Sequence, residues 1–425
     1  MKEVVNKVRT FIEHEIGLDV SPLREGQEGA ALFVALSGGA DSTALLLIMK
    51  DLGYNLQALH CNFHLRGEES DRDQAFVEAL CEQQGVPLSV RHFQTEEEAK
   101  QRGISVEMAA RDLRYDWFRD KMKVQGASFV AVAHHREDQA ETLLLNLLRG
   151  TGLRGLAGMQ PKHNGIIRPL LCLSRKEILE YLEQKGQSFV TDSTNLERIA
   201  QRNIVRLDLI PLLQEINPSA IGHLCLACEN ARQSLPYYIK GIEAAFKELG
   251  ITQESFPVKA LPSRTLLHEW LFGKGFNQAQ EEEMLGAGNR CVGKIWRSNT
   301  HTVLLDREAL LLAPVTLTSK VPIIRQEIVS GIEDTGPNIA YFDADLLTAP
   351  IAVRPIREGD TFVPFGMKGR KLISDYLTDR KVNRLQKAQT FVATCGSDII
   401  WLIGHRSDNR YRVTAATTRI LKLTI

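Results

Sequence analysis

Four short apolar runs punctuate the first 150 residues, at 30–36, 56–65, 87–92 and 128–133, and a stretch with helical apolar spacing follows each one. That alternation predicts βαβ units and a doubly wound parallel sheet of the α/β class, with helices on both faces. Ligands of such sheets gather beyond the carboxyl ends of the strands, where the strand order reverses. Ser37, the segment 60–64, His92, and His134 with His135 all fall at predicted strand ends and so gain weight. The opening "MKEVVNKVRTFIEHEIG" predicts an amphipathic helix. After "IPLLQEINPSA" the pattern turns helical over 218–249 and then breaks into mixed short elements. From about Lys320 short β-like runs at 351–353, 390–394, 399–403 and 420–423 alternate with Gly and Asp turns. Three domains follow: 1–213, a mostly helical 214–320, and a small α+β segment 321–425.

At 425 residues the chain is too long for one core, and 44% apolar composition makes its domains globular. The longest uncharged apolar stretches, 43–49 and 142–148, fall well short of the roughly 20 residues a spanning helix needs. The amino terminus lacks the apolar core of a signal peptide, so a cytoplasmic protein without membrane partners is expected. Seven scattered cysteines fit a reducing compartment rather than a disulfide framework. Cys225 and Cys228 form a CxxC on a predicted helix, where buried small apolar residues are the simpler reading than a metal or redox site. The zero net charge conceals an asymmetry: from Ile351 onward there are 14 Lys and Arg against 6 Asp and Glu. Such a basic segment suits a polyanion, or simply a solvated surface. Nothing in the pattern fixes the oligomeric state, a homodimer being among the options.

The most informative stretch is "SGGADS", residues 37–42, between the first strand and its helix. A Walker A loop needs a lysine where Asp41 stands, and a nucleophile elbow needs glycines flanking the serine, so both readings fail. "GTGLRG" at 150–155 matches a dinucleotide fingerprint but follows a helix, not a strand. In "SGGADS", Gly38 and Gly39 let backbone N–H groups turn inward, Ser37 and Ser42 add hydroxyl donors, and a helix starting at Ser42 or Thr43 favours an anion. The six residues Ser37, Gly38, Gly39, Ala40, Asp41 and Ser42 thus read as a phosphate cradle. The plainer alternative is a tight turn with Asp41 as N-cap.

This cradle resembles that of the N-type ATP pyrophosphatases, the PP-loop superfamily. Further motifs narrow the resemblance: "HCNFHLR" (60–66), "ARDLRY" (110–115), "HHREDQAET" (134–142), "LLRGTGLRGL" (147–156), "IRPLL" (167–171) and "DSTN…RNIVR" (192–206). Together they are similar to the tRNA(Ile)-lysidine synthetase family, strongly over about 30–210, with a weaker likeness in "REGDTF" and "GHRSDNRYRVTAATTR" near the carboxyl end. The resemblance implies a PP-loop domain over 1–213 and a tRNA-binding domain over 321–425. It implies a ligase: ATP adenylates the C2 oxygen of the wobble cytidine of a CAU-anticodon tRNA(Ile), then the ε-amine of L-lysine displaces AMP. ATP and Mg2+ are the implied cofactors, with Asp41 as magnesium contact.

Within that reading Asp41, Arg111, Asp138 and Glu141 are the expected catalytic residues. Asp138 and Glu141, three apart on a helix, share a face and suit a lysine amine; unaided by the resemblance, they read as first-turn acids complementing the helix dipole. Glu137 stands where the family pattern has Asp, and Lys387 and Asn383 where it has Arg and Pro. Arg111, Arg114 and Tyr115 could reach phosphates or the anticodon, although Glu107 is placed for an ordinary i,i+4 pair with Arg111. His60, Cys61, His64 and His134 read better as polar lining than as a zinc cluster, because strand alternation turns Cys61 away from His60 and His64. Arg202, Asn203 and Arg206 suit an RNA backbone or a salt-bridged helix face. Two rivals stay open: a PP-loop tRNA thiolase, which needs reactive cysteines near the cradle, and a non-catalytic tRNA-binding module.

Overall fold

A computed structural model of the chain describes residues 1–18, 32–191, 201–287, 292–315 and 321–425. Positions 30 and 31 of the first apolar run, the "DSTN" motif at 192–195 and Lys320 lie outside those residues. The chain divides into two compact units, Met1–Tyr238 and Ile239–Ile425.

The first unit runs α1 (Lys2–Phe11), β1 (Leu32–Ala35), α2 (Ala40–Asp51), β2 (Leu56–Asn62), α3 (Glu68–Gln84), β3 (Leu88–His92), α4 (Thr95–Arg102), α5 (Val106–Gln125), β4 (Val130–Ala131), α6 (Arg136–Leu148), α7 (Leu153–Leu156), β5 (Lys162–His163), β6 (Ile166–Ile167) and α8 (Arg175–Lys185). Then come α9 (Gln201–Ile204), a π-helical turn Val205–Leu209, α10 (Ile210–Ile216) and the first part of α11 (Ala220–Leu249), whose residues after Tyr238 belong to the second unit. The sheet of the first unit has the order β3-β2-β1-β4-β6-β5, parallel throughout except for β5. Each predicted run supplies one strand, and β1 sits where the strand order reverses, so the crevice opens beyond the ends of β1 and β4.

The pleat of β1 splits the core into two layers. Val34 points into the layer of α1, α2 and α8, and Phe33 into the layer of Trp117 and Phe118 of α5. Helix α2 is buried nearly all round, and Leu45, Leu46, Leu47, Ile48 and Met49 each contribute about 1.5–3 kcal/mol by leaving water. Its lower end is tied to α8, because Tyr181 Oη donates to Asp51 (2.9 Å) and Lys185 Nζ reaches the same carboxylate (2.9 Å). The upper end of α8 is set by a reciprocal cap between Ser174 and Glu177, and Lys7 of α1 bonds Glu177 at 2.6 Å. Both ends of α8 are therefore pinned to neighbouring helices.

The helix after the cradle begins earlier than the sequence suggests. Gly39, in extended conformation, is the N-cap, and its carbonyl accepts from Thr43 N at 3.0 Å. Ala40 is thus the first helical residue and Asp41 lies in the first turn, not at the cap or before it. No helix among the described residues is long and apolar enough to cross a membrane.

In the second unit, Ser255–Pro257, Ala309–Pro314, His301–Leu305 and Ile295–Arg297 form an antiparallel sheet. It shares a core around Phe256 and Trp270 with helices Arg264–Leu271 and Gln278–Ala287. The predicted carboxyl-terminal runs appear as Ile351–Pro355, Phe391–Cys395, Asp398–Leu402 and Ile420–Thr424 in two further antiparallel sheets around Phe342 and Trp401. Several of the basic side chains there are already paired: Arg354 grips Asp360 through two 2.8 Å bonds, and Lys371 binds Asp379. Asp408 is fully buried and accepts from Val363 N (2.9 Å), Arg410 N (2.8 Å) and Arg410 Nη2 (3.0 Å). Removing that charge weakens the bonds from the Val363 and Arg410 amides and from the guanidinium. Asp408→Asn should therefore lower the unfolding free energy of this unit by about 1.5–3 kcal/mol, read from the midpoint of urea unfolding at unchanged slope.

Candidate active site

Three chain segments meet at the switch point. The first is the turn after β1. Gly38 has φ +90°, and a Cβ there would stand 3.3 Å from Phe76 and Val77 of α3, so this position needs glycine on two counts. Its carbonyl accepts from Val190 N at 2.9 Å, which fixes the turn from the other side. The hydroxyls converge: Ser42 Oγ accepts from Ser37 N (3.2 Å), lies 3.0 Å from Ser37 Oγ and donates to Gly39 O. Two hydroxyls, the backbone of Gly38 and Gly39 and the first turn of a twelve-residue helix thus surround one concavity, an arrangement that suits an anion.

Asp41 stands at its lip. Its Oδ2 meets Arg175 Nη1 at 3.1 Å and His135 Nε2 at 3.8 Å, while Oδ1 is buried with no partner. Burial raises its pKa above the ordinary carboxylate value despite the pull of His135 and Arg175. A buried carboxylate oxygen without a partner beside an anion cradle has the chemistry of a hard-cation ligand, so a magnesium ion fits Asp41.

The second segment follows β4. His134 lines the cleft with Nδ1 buried and unpartnered, and burial depresses its pKa to about 4, with Asp138 opposing and Arg168 assisting. It is therefore neutral at physiological pH. His135 begins α6 and is tied into an acidic ring, with Nδ1 at 2.9 Å from Glu137 and Nε2 at 3.5 Å from Asp138. Burial disfavours its protonation, but Glu137, Asp138 and Asp41 outweigh that, and its pKa stands above the usual value. Glu137, longer than the aspartate of the family pattern, also reaches Arg175 N at 3.0 Å, so the extra methylene links α6 to the start of α8.

The third segment is α9 with the π-helical turn, and it changes the reading of the carboxylate pair. Asp138 and Glu141 do share one face of α6, but that face is already occupied. Glu141, fully buried, accepts from Arg202 Nε (2.6 Å), Arg206 Nε (2.6 Å) and Arg206 Nη2 (3.1 Å). Asp138 Oδ1 accepts from Arg202 Nη2 (3.0 Å) and Arg206 Nη2 (3.3 Å). Burial alone would raise the pKa of Asp138, yet His135 and Arg202 hold it below the ordinary range. Arg202 and Arg206 are thus ion-pair partners here rather than an outward-facing RNA grip, and the pair offers no vacant seat for an amine in this state. The cause is the i,i+4 spacing of the arginines, which matches the i,i+3 spacing of the acids.

The cleft measures about 330 Å³ and is lined by Ser37, Asp41, Phe63, Arg114, Tyr115 and His134 among others. Arg114 lies over Phe63 (5.3 Å) and Arg111 over Tyr115 (5.1 Å). Arg114 and Tyr115 line the cleft, and Arg111, stacked on Tyr115, is exposed. Arg168, which the sequence reading assigned no role, bonds Tyr115 and Gln160 O (2.7 Å) and keeps a buried Nε without a partner. Its signal was the apolar "IRPLL", where a lone cation faces a strand end. Arg175 was also missed, although the "SRKE" capping box marks the helix start that aims it.

The suggested histidine cluster is dispersed. His60 Nδ1 bonds Leu36 O (2.8 Å) under the cradle, while His64 pairs with His92 (2.9 Å) at the surface. Cys61 is in the cleft wall, but burial pushes its thiol up to about 12, away from the thiolate that sulfur transfer requires. Burial likewise takes Cys225 to about 12 and Cys228 to about 11.

Comparison with known proteins agrees with the architecture. A family described as PP-loop domain matches residues 6–213, and one described as TilS substrate binding domain matches residues 257–315. The chain is 45% identical over 401 residues to the tRNA(Ile)-lysidine synthase of Bacteroides thetaiotaomicron, covering 92% of this chain and 94% of the relative. It is 41% identical over 430 residues to that of Parabacteroides distasonis, covering 96% and 98%. The similarity falls to 29% over 431 residues for that of Caldanaerobacter subterraneus, with 92% of each chain covered.

Two outcomes follow from this geometry. Gly38→Ala should cost about 1–3 kcal/mol of stability, because it combines a left-handed backbone with a 3.3 Å approach to α3; thermal unfolding of the purified variant reads it. His135 has a folded pKa above its unfolded value, so its contribution is complete below pH 6.5 and disappears as pH rises through the folded pKa. The stability difference between the wild type and His135→Gln should therefore shrink from pH 6 to pH 9, and a difference that grows with pH would overturn the assignment.

Proposed function

The chain belongs to the tRNA(Ile)-lysidine synthase family, and from that premise we propose that it is an ATP-dependent ligase. In this reading it joins the ε-amine of L-lysine to C2 of the wobble cytidine of a CAU-anticodon tRNA(Ile), releasing AMP and pyrophosphate. The observation that carries the reading is one switch point holding both an anion cradle and a buried carboxylate pair, linked through His135. The two halves suit the two steps.

In the first step the cytidine C2 oxygen attacks the α-phosphorus of ATP and pyrophosphate departs. Ser37, Ser42 and the N–H groups of the Gly38–Gly39 turn hold the departing group, and the helix terminus favours its charge. Magnesium bound by Asp41 would supply positive charge to the same oxygens. Phe63, Tyr115 and Arg114 give the cytosine a flat apolar wall with a guanidinium, and neutral His134 offers it a hydrogen-bonding edge without competing charge. In the second step the amine attacks C2, the C2–O bond breaks, and AMP leaves with that oxygen. Asp138 and Glu141 would orient the amine and take up its proton. Cys61 does not suit the thiolase alternative, since its thiol stays protonated.

The basic carboxyl-terminal segment suits the tRNA backbone. Lys368, Arg370, Arg410 and Arg412 line one surface depression of about 730 Å³, although Arg410 is held by Asp398 and Asp408. Contacts of this kind position an RNA without reading its sequence.

Incubating the protein with ATP, lysine and a CAU-anticodon transcript, followed by nucleoside mass spectrometry, should show cytidine gaining the mass of one lysine less water. A thiolated or unchanged nucleoside would sink the proposal. In the same assay Asp41→Asn should reduce AMP formation by roughly two orders of magnitude while the fold persists, and a near wild-type rate would remove Asp41 as the metal contact.

A further inference from the structure

The second step needs an amine where the structure holds two guanidinium groups. Glu141 has no exposed surface, and both its oxygens are used by Arg202 and Arg206. The arginine side chains are 37% and 31% exposed, so the cations can move into solvent whereas the carboxylate cannot. Charge gives the same picture. Asp41, Asp138 and Glu141 already meet Arg175, Arg202 and Arg206, so little of their charge is left for an extra ammonium. Phosphates at the cradle shift the charge the other way.

A continuous path joins the two places. Arg206 touches Glu141 at 2.6 Å and Asp138 at 3.3 Å, Asp138 lies 3.5 Å from His135, and His135 lies 3.8 Å from Asp41 at the cradle. Negative charge arriving beside Asp41 is felt along this path and competes with Asp138 and Glu141 for the same guanidinium groups. Arg206 also sits in a π-helical turn, a local departure from α-geometry that is common at functional sites.

We propose that Arg202 and Arg206 are positioning residues that keep the Asp138–Glu141 seat closed to amines until nucleotide phosphates at the cradle draw a guanidinium away. Lysine is then admitted only to nucleotide-loaded protein, which orders the two steps and keeps free lysine and other primary amines out of the empty site. This inference rests on the reading that Asp138 and Glu141 seat the amine. If the seat is open in 1–10% of nucleotide-free molecules, apparent lysine affinity is lowered about 10–100-fold.

Equilibrium dialysis of labelled L-lysine against the full chain tests this, without tRNA, with and without magnesium and α,β-methylene-ATP. The wild type should bind lysine at least tenfold more tightly with the analogue. Arg206→Gln should bind it at least tenfold more tightly than wild type without nucleotide, and its nucleotide effect should fall below threefold. Equal wild-type affinity in the two conditions, or weak nucleotide-free binding by Arg206→Gln, overturns the closed seat and leaves the arginines as structural pairs. Should Arg206→Gln fail to fold, Arg206→Lys keeps the charge but cannot span both acids. Its nucleotide effect should lie at least threefold below the wild type's, and an undiminished effect counts against the proposal. A Glu141→Gln control separates the underlying reading: lysine binding that ignores this change places the amine elsewhere and removes the inference with it.

Discussion

The catalytic unit is organised around one electrostatic constraint: carboxylates buried at the ends of β1 and β4 must be matched by cations that the fold delivers from a distance. Glu141 has no contact with solvent, and an unpaired charge there would cost several kcal/mol. Its partners come from α9 and the turn after it, more than sixty residues along the chain. The partner of Asp41 comes from α8. Folding of the three segments is therefore coupled through charge as well as through apolar contact. Leaving any of these acids alone costs more than assembling the rest.

That coupling explains why so much scaffold serves one helix end. Arg175 can meet Asp41 only if α8 starts at the right place. The Ser174–Glu177 cap sets the start, Lys7 steadies Glu177, and Asp51 anchors the far end through Tyr181 and Lys185. These bonds are individually modest, about 0.5–1.5 kcal/mol for neutral donors and more where charge assists. Their geometric effect is larger, since they hold a guanidinium in hydrogen-bond range of Asp41 at the cradle without touching it themselves.

The fold was legible where a single physical rule acts along the sequence. Continuous apolar runs and period-3.6 stretches place the first four strands of the parallel sheet and the helices between them, and two adjacent glycines before a buried helix mark the turn after β1. The helix start was misplaced because a glycine can cap through its backbone alone, leaving no side-chain signal such as a serine or aspartate would give. The arginine partners of Asp138 and Glu141 were legible as a motif but not as a contact. Residues 138 and 202 are joined only by the fold, and no periodicity connects them. Arg168 and Arg175 carry local signals, a cation at a strand end and a capped helix start, but their contacts with Tyr115 and Asp41 are likewise made only by the fold.

The unequal treatment of the two adjacent histidines follows from this charge pattern and bears directly on the chemistry. His134 and His135 leave the same strand end, yet one faces the cleft and the other the acids. His134 is desolvated among Arg168, Arg202 and Arg111, which push it toward neutrality, and His135 is surrounded by Glu137, Asp138 and Asp41, which raise its pKa above the usual value. The cleft therefore presents an uncharged imidazole, while the acids behind it favour the protonated form of the other. Exchanging the two roles would put positive charge into the cleft and strip it from the acids. Alternation along one extended dipeptide thus separates the hydrogen-bonding wall of the cleft from the electrostatic support of the site.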